Sequence, residues 1–183
     1  MNEVPNAAPL TIRTLAENDI DAFRAMRVQA AEDTPFAIVS TPEEEARWTR
    51  EENLARVRET DRQCVFGAFD GERLVGIVGW RREPRVKFAH KSLIWGVFVD
   101  PAYRRTGLAR RLMESAIERA RAFGLEQVQL SVSARNPRAQ ALYRALGFEI
   151  YGTEPRAMRI ANDYFDEDLM VLSLTAPLST IKN

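Results

Sequence analysis

The sequence predicts a single α/β domain built on a mixed, mostly antiparallel sheet of about seven strands flanked by four helices. Short apolar runs with strand-like alternation recur along the chain, and two amphipathic helices follow position 100. A length of 183 residues allows one domain with a full core. Because a helix connects the strand that ends at Val99 to the strand that contains Val128, we expect these two strands to be parallel neighbours.

The N-terminal third is predicted to hold one strand and two helices. Leu10–Arg13 alternates as a strand does. Over Asp19–Ala31 the apolar residues recur at helical spacing. A loop over residues 32–42 separates this helix from a second one, which we expect to begin after Thr41 with Pro42 in its first turn.

The rest of the chain is predicted to hold six strands and two helices. Asp70-Gly71 is a hairpin turn signal, and Gly124 and Gly147 each end a helix. The acidic run Asp163–Asp168 is interpreted as the solvated turn of a final hairpin. Strands are expected over Cys64–Phe69, Leu74–Trp80, Leu93–Val99, around Val128–Leu130, over Phe148–Thr153 and over Leu169–Leu174, and helices over Gly107–Phe123 and Asn136–Leu146.

Composition limits the classes of partner. With 26 basic and 26 acidic residues the formal net charge is zero, so neither a nucleic acid nor an anionic membrane is expected as a partner. The single Cys64 cannot form an internal disulfide, and no signal pattern or long apolar span occurs, so we expect a soluble, cytoplasmic protein without a metal. We assign one domain to residues 9–176, a flexible N-terminus to 1–8 and a tail to 177–183.

The segment Val97–Arg110 combines a strand end, a basic turn and the start of a helix. Such a turn exposes backbone N–H groups at a helix N-terminus, where a phosphate is favoured, and Gly107 permits close approach. No Gly-Lys-Ser/Thr follows, and the three glycines of a dinucleotide fingerprint are absent. The spacing Arg104-x-x-Gly107-x-Ala109 instead resembles the pyrophosphate loop of the GNAT family of acyl-CoA-dependent N-acetyltransferases. The alternative is an ordinary surface turn with solvated arginines.

A second motif runs from Asn136 to Phe148. Asn136 is well placed to cap a helix, and Tyr143 lies two helical turns later on the same side. Taken alone, Tyr143 is typical of a half-buried amphipathic residue. The order of Asn, Ala, Leu-Tyr and Gly147-Phe148 nevertheless resembles the cofactor helix of the GNAT family, and both motifs occur in the strand–helix order of that fold.

The resemblance implies a GNAT fold whose central parallel strands splay apart, and an acetyl-CoA-dependent N-acetyltransferase. The acetyl group would pass by direct attack to a primary amine of a small molecule, or of a protein N-terminus or lysine. GNAT proteins are often dimers, which by analogy suggests a homodimer. The alternative function is a non-catalytic acyl-CoA-binding sensor or interaction module, suggested by Arg105, where many members have glycine, and by the absence of an acid on the strand before the loop.

Roles for individual residues also follow from the resemblance. A bulge at Gly96 would open a slot for the pantetheine arm, with one N–H of that strand polarising the thioester carbonyl. Tyr143 would donate a proton to the departing thiolate. The loop over residues 32–42, with Phe36 and Ile38, would cover the acceptor. The implied cofactor-binding residues are Val97, Phe98, Val99, Arg104, Arg105, Thr106, Gly107, Leu108, Ala109, Arg110 and Asn136.

The proton acceptor stays open among several groups. His90, the only histidine, begins the strand before the loop, and an imidazole with a pKa of about 6.5 suits a base at neutral pH. Glu154, the run Asp163–Asp168 and an ordered water are alternatives. Cys64 is a weak candidate for an acyl-carrying nucleophile because it lies in an apolar strand without a basic partner. An exposed acidic wall from Glu43–Glu45 and Asp163–Asp168 would favour a polycationic acceptor.

Overall fold

A computed structural model describes residues 10–175, so the assignments to 1–8 and 177–183 lie outside the described residues. A seven-stranded sheet runs in the order β1-β2-β3-β4-β5-β7-β6. The strands are β1 Thr11–Thr14, β2 Gln63–Asp70, β3 Arg73–Arg82, β4 Lys91–Val99, β5 Gln127–Ser133, β6 Glu149–Ile160 and β7 Asp163–Ser173. The helices are α1 Ile20–Asp33, α2 Pro42–Arg47, α3 Arg50–Val57, α4 Leu108–Ala122 and α5 Pro137–Ala145, with single 3₁₀ turns at Glu17–Asp19, Val86–Phe88 and Pro101–Tyr103.

The central pair of strands is parallel, as predicted, and every other neighbouring pair is antiparallel. Strands β4 and β5 pair only from Lys91↔Gln127 to Leu93↔Gln129. Beyond Leu93 strand β4 continues to Val99 while pairing only with β3. The two central strands therefore diverge toward their carboxyl ends, which leaves one edge of β4 open.

The predicted second helix is divided into two, so five helices rather than four flank the sheet. Thr41 accepts a hydrogen bond from the N–H of Glu44 at 3.2 Å and caps α2. Thr49 does the same for the N–H of Glu52, also at 3.2 Å, and caps α3. Each threonine is matched by a glutamate three residues on, so two capping boxes start two short helices in succession.

The final hairpin is longer than predicted. The run Asp163–Asp168, which we interpreted as a turn, is part of β7, and the turn lies instead at Ala161–Asn162. Strand β5 ends at Ser133 opposite Glu167, so the tip of the hairpin extends beyond the sheet, and Asp163 and Asp166 of this tip are exposed to solvent. This solvation explains how a strand can carry so many acids.

Two apolar clusters pack on opposite faces of the sheet. One contains the buried stripe of α4, including Leu112 and Ala116, as predicted from its spacing. The other contains Phe23 of α1 and Val57 of α3. Because side chains alternate along each strand, β2 to β4 supply residues to both clusters. Helices therefore pack on both faces of the sheet that carries the open edge of β4.

Candidate active site

A cavity of about 690 Å³ opens where β4 and β5 diverge. Strand β4 lines it from Leu93 to Val99, and β5 lines it from Leu130 to Ser133. The loop after α1 contributes Phe36, which stacks on Phe165 of β7 with ring centroids 6.3 Å apart. Ile38 of the same loop is buried in the core instead. The loop over residues 32–42 therefore contributes Phe36 and several neighbouring residues to the cavity lining.

Strand β4 carries a bulge at Gly96. Ile77 of β3 pairs with Phe98, and Gly79 pairs with Trp95, so two residues of β4 oppose only one of β3. Gly96 adopts φ +61°, in the left-handed region that glycine enters without steric penalty. The bulge rotates the following backbone, Val97 to Val99, along the wall of the cavity.

The turn between β4 and α4 is fixed from behind by side chains. Asp100 accepts from the N–H of Ala102 at 2.9 Å and from Arg73 at 2.8 Å. Arg104 donates through Nε to the carbonyl of Val99 at 3.1 Å and forms an ion pair with Asp33 at the end of α1. These contacts tie the turn to the end of β4 and to α1.

The N–H groups from Arg105 to Arg110 make no hydrogen bond with any residue in 10–175. They lie at the N-terminus of a 15-residue helix, where the dipole adds positive potential. Gly107 has φ +82° and no atom within 4 Å of the place where a Cβ would be, so the approach to these groups is open. A cradle of unpaired donors with this clearance fits a pyrophosphate.

Arg105 sits in this cradle with φ +65°, a conformation that non-glycine residues rarely adopt. Glycine would adopt this backbone angle without a steric penalty. The Arg105 side chain is exposed and forms no ion pair with the described residues. Its charge is therefore available at the rim of the cradle.

Helix α5 brings two predicted residues to the cavity. Asn136 accepts from the N–H of Ala139 at 3.1 Å and so caps the helix, as predicted, while it lines the cavity. Tyr143 also lines the cavity and is only 7% exposed. Burial raises the pKa of Tyr143 to about 12. Its hydroxyl forms no hydrogen bond with another described residue, so the phenol is a protonated donor that faces the cavity.

Two of the predicted proton acceptors, His90 and Glu154, lie outside the cavity that Tyr143 lines. His90 lies at the closed end of the β4–β5 pair, where its carbonyl accepts from the N–H of Glu126 at 2.9 Å, and it does not line the cavity. Glu154 is exposed on β6 and also lies outside the cavity lining. Its cross-strand partner Glu167 belongs to the run Asp163–Asp168, which was also a candidate, and it is the one carboxylate among the described residues that line the cavity.

Cys64 is excluded as a nucleophile. It is buried at 1% exposure, and burial raises the pKa of its thiol to about 12. A thiol in this state holds its proton throughout the physiological range and cannot carry an acyl group. Within residues 10–175, no group of three His, Cys, Asp or Glu side chains is arranged to bind a metal ion.

Sequence reasoning missed a buried ion cluster at the other end of the cavity. Arg27 is only 2% exposed and binds Glu45 through Nε, at 3.1 Å, and through Nη2. Arg56 binds the other oxygen of Glu45 at 3.0 Å. Burial by itself would raise the pKa of Glu45, but the hydrogen bonds from both arginines outweigh it and lower this pKa to about 2. Glu45 therefore forms no exposed acidic wall.

A signal for this cluster was present in the sequence. Arg27 stands on the apolar face of α1, in register with Phe23 and Ala30, where a charge is unexpected. Spacing within α1 could not show which acid neutralises it, because Glu45 is 18 residues away.

A model of the Acetyltransferase (GNAT) family matches residues 25–148 of the chain. The protein is a member of the GNAT family. This GNAT chain is 30% identical over 153 residues to the mycothiol acetyltransferase of Brachybacterium faecium, covering 82% of this chain and 44% of that protein. It is 40% identical over 90 residues to the ribosomal protein bS18-alanine N-acetyltransferase of Escherichia coli K12, covering 46% of this chain and 61% of that protein. The chain thus spans less than two thirds of either curated relative.

Solved structures have the same architecture. A GNAT acetyltransferase of Streptococcus pneumoniae superposes with a TM-score of 0.83 at 29% identity, covering 91% of this chain and all of that one. The yncA protein of Salmonella typhimurium, solved with its cofactor acetyl-CoA, superposes with a TM-score of 0.79 at 19% identity, covering 94% of this chain and 98% of that one. The second match shows the shared GNAT fold. None of the helices within residues 10–175 is long and apolar enough to span a bilayer.

Proposed function

We propose that this GNAT protein transfers the acetyl group of acetyl-CoA to a primary amine, either of a small molecule or of a protein N-terminus or lysine. The observation that carries the proposal is one continuous cavity that extends from the bulged edge of β4 to Tyr143 and opens beside the cradle of unpaired N–H groups. Such a cavity can hold an extended acyl-CoA molecule and an amine side by side. The single, buried Cys64 is consistent with a reducing cytoplasm.

The residues present fit acetyl-CoA, which when bound supplies the thioester. The N–H groups from Arg105 to Arg110 are the proposed pyrophosphate donors. The open edge of β4, Val97 to Val99, offers backbone groups that can pair with the pantetheine amides as an added strand would. Asn136 keeps its side-chain N–H₂ available, because its oxygen is engaged as the helix cap.

The backbone of β4 also supports the chemical step. An N–H on the open edge near the bulge is proposed to donate to the carbonyl oxygen as negative charge develops there. A fixed backbone donor in a partly closed cavity needs no reorganisation at that moment. Holding the amine and the thioester in one cavity removes much of the entropic barrier to their reaction.

The attacking neutral amine loses one proton as the amide forms and the leaving sulfur gains one, so the transfer needs a proton acceptor and a proton donor. Glu167 is the proposed proton acceptor, since it is the carboxylate that lines the cavity among the described residues. Tyr143 is the proposed proton donor to the thiolate. A phenol with a pKa of about 12 is a weak acid beside a thiol of about 8.5, so its donation requires a direct hydrogen bond to the sulfur.

Acetyl-CoA binding is the first test. At one hundred times its Kd, a ligand specific for the native state adds about 2.7 kcal/mol to the free energy of unfolding. We expect a clear rise of Tm with acetyl-CoA and a much smaller one with ATP, which controls for binding of any polyphosphate to the arginine-rich cavity. No rise at millimolar acetyl-CoA would contradict the proposal.

Turnover is the second test. Thiol release from acetyl-CoA is measured with a panel of amines that includes amino acids, polyamines and N-terminal peptides. Release with any of them supports the enzyme. Tight binding of acetyl-CoA with no transfer to any amine would favour the non-catalytic sensor.

A further inference from the structure

Arg27 has an N–H group without a partner. Its Nε and Nη2 bind Glu45, whereas Nη1 is buried and has no hydrogen-bond partner among the described residues. A Cβ built on Gly96 would lie 2.8 Å from Nη1, so this nitrogen is at the bulge. Arg27 also lines the cavity. Buried donors of native proteins are nearly always satisfied, and an unsatisfied one at a cavity indicates a missing acceptor.

The net charge of the Arg27–Glu45–Arg56 cluster also indicates that a negatively charged ligand is missing. Glu45, with a pKa of about 2, carries one negative charge at neutral pH. Arg27 and Arg56 carry two positive charges, so the cluster has a net charge of +1 with little solvent around it. A buried charge without a counter-charge is unfavourable, so a monoanion is the complementary ligand.

The cluster is remote from the pyrophosphate cradle. The guanidinium carbons of Arg27 and Arg56 lie 5.7 and 5.6 Å from the ring of Trp95, on the N-terminal side of the bulge. From Trp95 to Val99 strand β4 spans about 13 Å, and the cradle begins beyond Val99. At the cradle end, Arg104 is already paired with Asp33. The positive charge beside Trp95 therefore lies where an acceptor, rather than the phosphates, would bind.

We propose that Arg27 and Arg56 bind a carboxylate of the acceptor, which is then a small amine that carries a carboxylate, with an amino acid as the simplest case. This inference rests on the proposed acetyl transfer and specifies its substrate class. A carboxylate matches both the single net charge and the planar fork of a guanidinium. Trp95 and Phe36 add apolar walls for the rest of the acceptor.

The test compares amino acids with their amides. Phenylalanine and phenylalaninamide, and methionine and methioninamide, have the same side chain but differ in the carboxylate. The amides have the less basic amine, so intrinsic reactivity at neutral pH favours them. We expect kcat/KM for each acid to exceed that for its amide by about tenfold or more, the size of a charged hydrogen bond. Equal values, or a preference for the amides, would overturn the inference.

The matched variants are Arg56→Gln and Arg58→Gln, which remove the same charge two residues apart. Arg56 lines the cavity, whereas Arg58 is exposed and does not. Arg56→Gln leaves a neutral Arg27–Glu45 pair, so we expect the ratio of acid to amide to fall to about one. Arg58→Gln should keep the wild-type ratio. Circular dichroism and Tm identify any loss of fold. If Arg56→Gln is unfolded, the comparison of acids with amides in the wild-type protein still tests the inference.

A binding measurement separates this inference from the proposed function. Trp95 and Trp48 flank the Arg56 guanidinium at 5.6 and 4.6 Å, so tryptophan fluorescence can report ligands at the cluster. We expect phenylalanine, but not its amide, to change the fluorescence of the CoA-loaded protein. If acetyl-CoA binds and amines are acetylated without this discrimination, the substrate class is wrong and acetyl transfer stands. If acetyl-CoA does not bind, acetyl transfer itself fails.

Discussion

A Cβ on Gly96 would lie 2.8 Å from Nη1 of Arg27, so the bulge of β4 and the buried guanidinium occupy adjoining space. Arg27 cannot move away easily, because Glu45 holds two of its three nitrogens. The absence of a side chain at residue 96 therefore has two causes, the positive φ and the guanidinium beside it. The proposed cofactor slot and the proposed acceptor-binding end of the cavity meet at this contact.

Gly96→Ala is predicted to destabilise the protein by more than about 1–2 kcal/mol, the cost of the left-handed backbone alone, because the methyl group also displaces Arg27. Gly107→Ala is the matched control, since φ is +82° there but no atom lies within 4 Å of the new Cβ. Urea unfolding of both variants measures the difference. Equal losses of stability in the two variants would show that Arg27 moves aside without a cost in free energy.

Tyr143→Phe is predicted to lower kcat by about 100-fold and to leave the Kd for acetyl-CoA within twofold, because only proton donation is lost. Since burial raises the pKa of Tyr143 to about 12, the wild-type kcat should show no decline from this group until the pH approaches that value. Tyr151→Phe, on the exposed face of β6, serves as the control. An unchanged kcat in Tyr143→Phe would remove this residue from the mechanism.

Glu167→Gln and Glu154→Gln are predicted to differ in their effect on kcat/KM, although the two residues are cross-strand partners. Glu167 lines the cavity, so its amide should lower kcat/KM by about 100-fold across the pH profile. Glu154 is exposed outside the cavity, so its amide should behave as wild type. The reverse result would assign the base to Glu154, and two wild-type profiles would assign it to water.

The Arg27–Glu45–Arg56 cluster is predicted to make stability depend on pH. The pKa of Glu45 is about 2 in the folded state, below its ordinary value, so the unfolded chain binds the proton more tightly. This stabilisation is complete at neutral pH and is lost as the pH falls from about 5 toward 2. Urea unfolding at several pH values measures the loss.

Glu45→Gln should remove that pH dependence and destabilise the protein at pH 7 by about 3–5 kcal/mol, because two buried arginines lose their counter-charge. Glu51→Gln, an exposed residue of α3, is the control. An equal effect of the two variants at pH 7 would show that the cluster contributes no more than a surface charge.

Arg105→Ala is predicted to weaken acetyl-CoA binding about threefold to fivefold and to reduce its salt dependence, because an exposed charge leaves the cradle. Arg105→Gly should weaken binding equally, yet be more stable than Arg105→Ala by about 1 kcal/mol, since φ is +65°. Isothermal titration and thermal unfolding measure the two effects. Tighter binding by Arg105→Gly would mean that the side chain obstructs the cradle.

Much of the fold could be predicted because it depends on local chemistry. The turn before α4, the cap at Asn136 and the apolar stripe of α4 each depend on residues within a few positions of one another. The interpretation of Asp163–Asp168 as a turn was wrong, because alternation of acids with aromatics is equally typical of a solvated turn and of a strand. The strand pairing of this run is decided by β6, whose register is irregular between Glu154 and Met158.

The sequence by itself determined the α/β class, the parallel central strands and the helix caps, since periodicity, capping and glycine placement act over one or two turns of chain, and the resemblance of two motifs added the GNAT architecture. Only the tertiary structure decided which ionisable groups share the cavity. Glu167 enters it and His90 does not, and Arg27 meets Glu45 across 18 residues of sequence. Such contacts are set by how helices pack on the sheet and where strands diverge, and no local pattern records either.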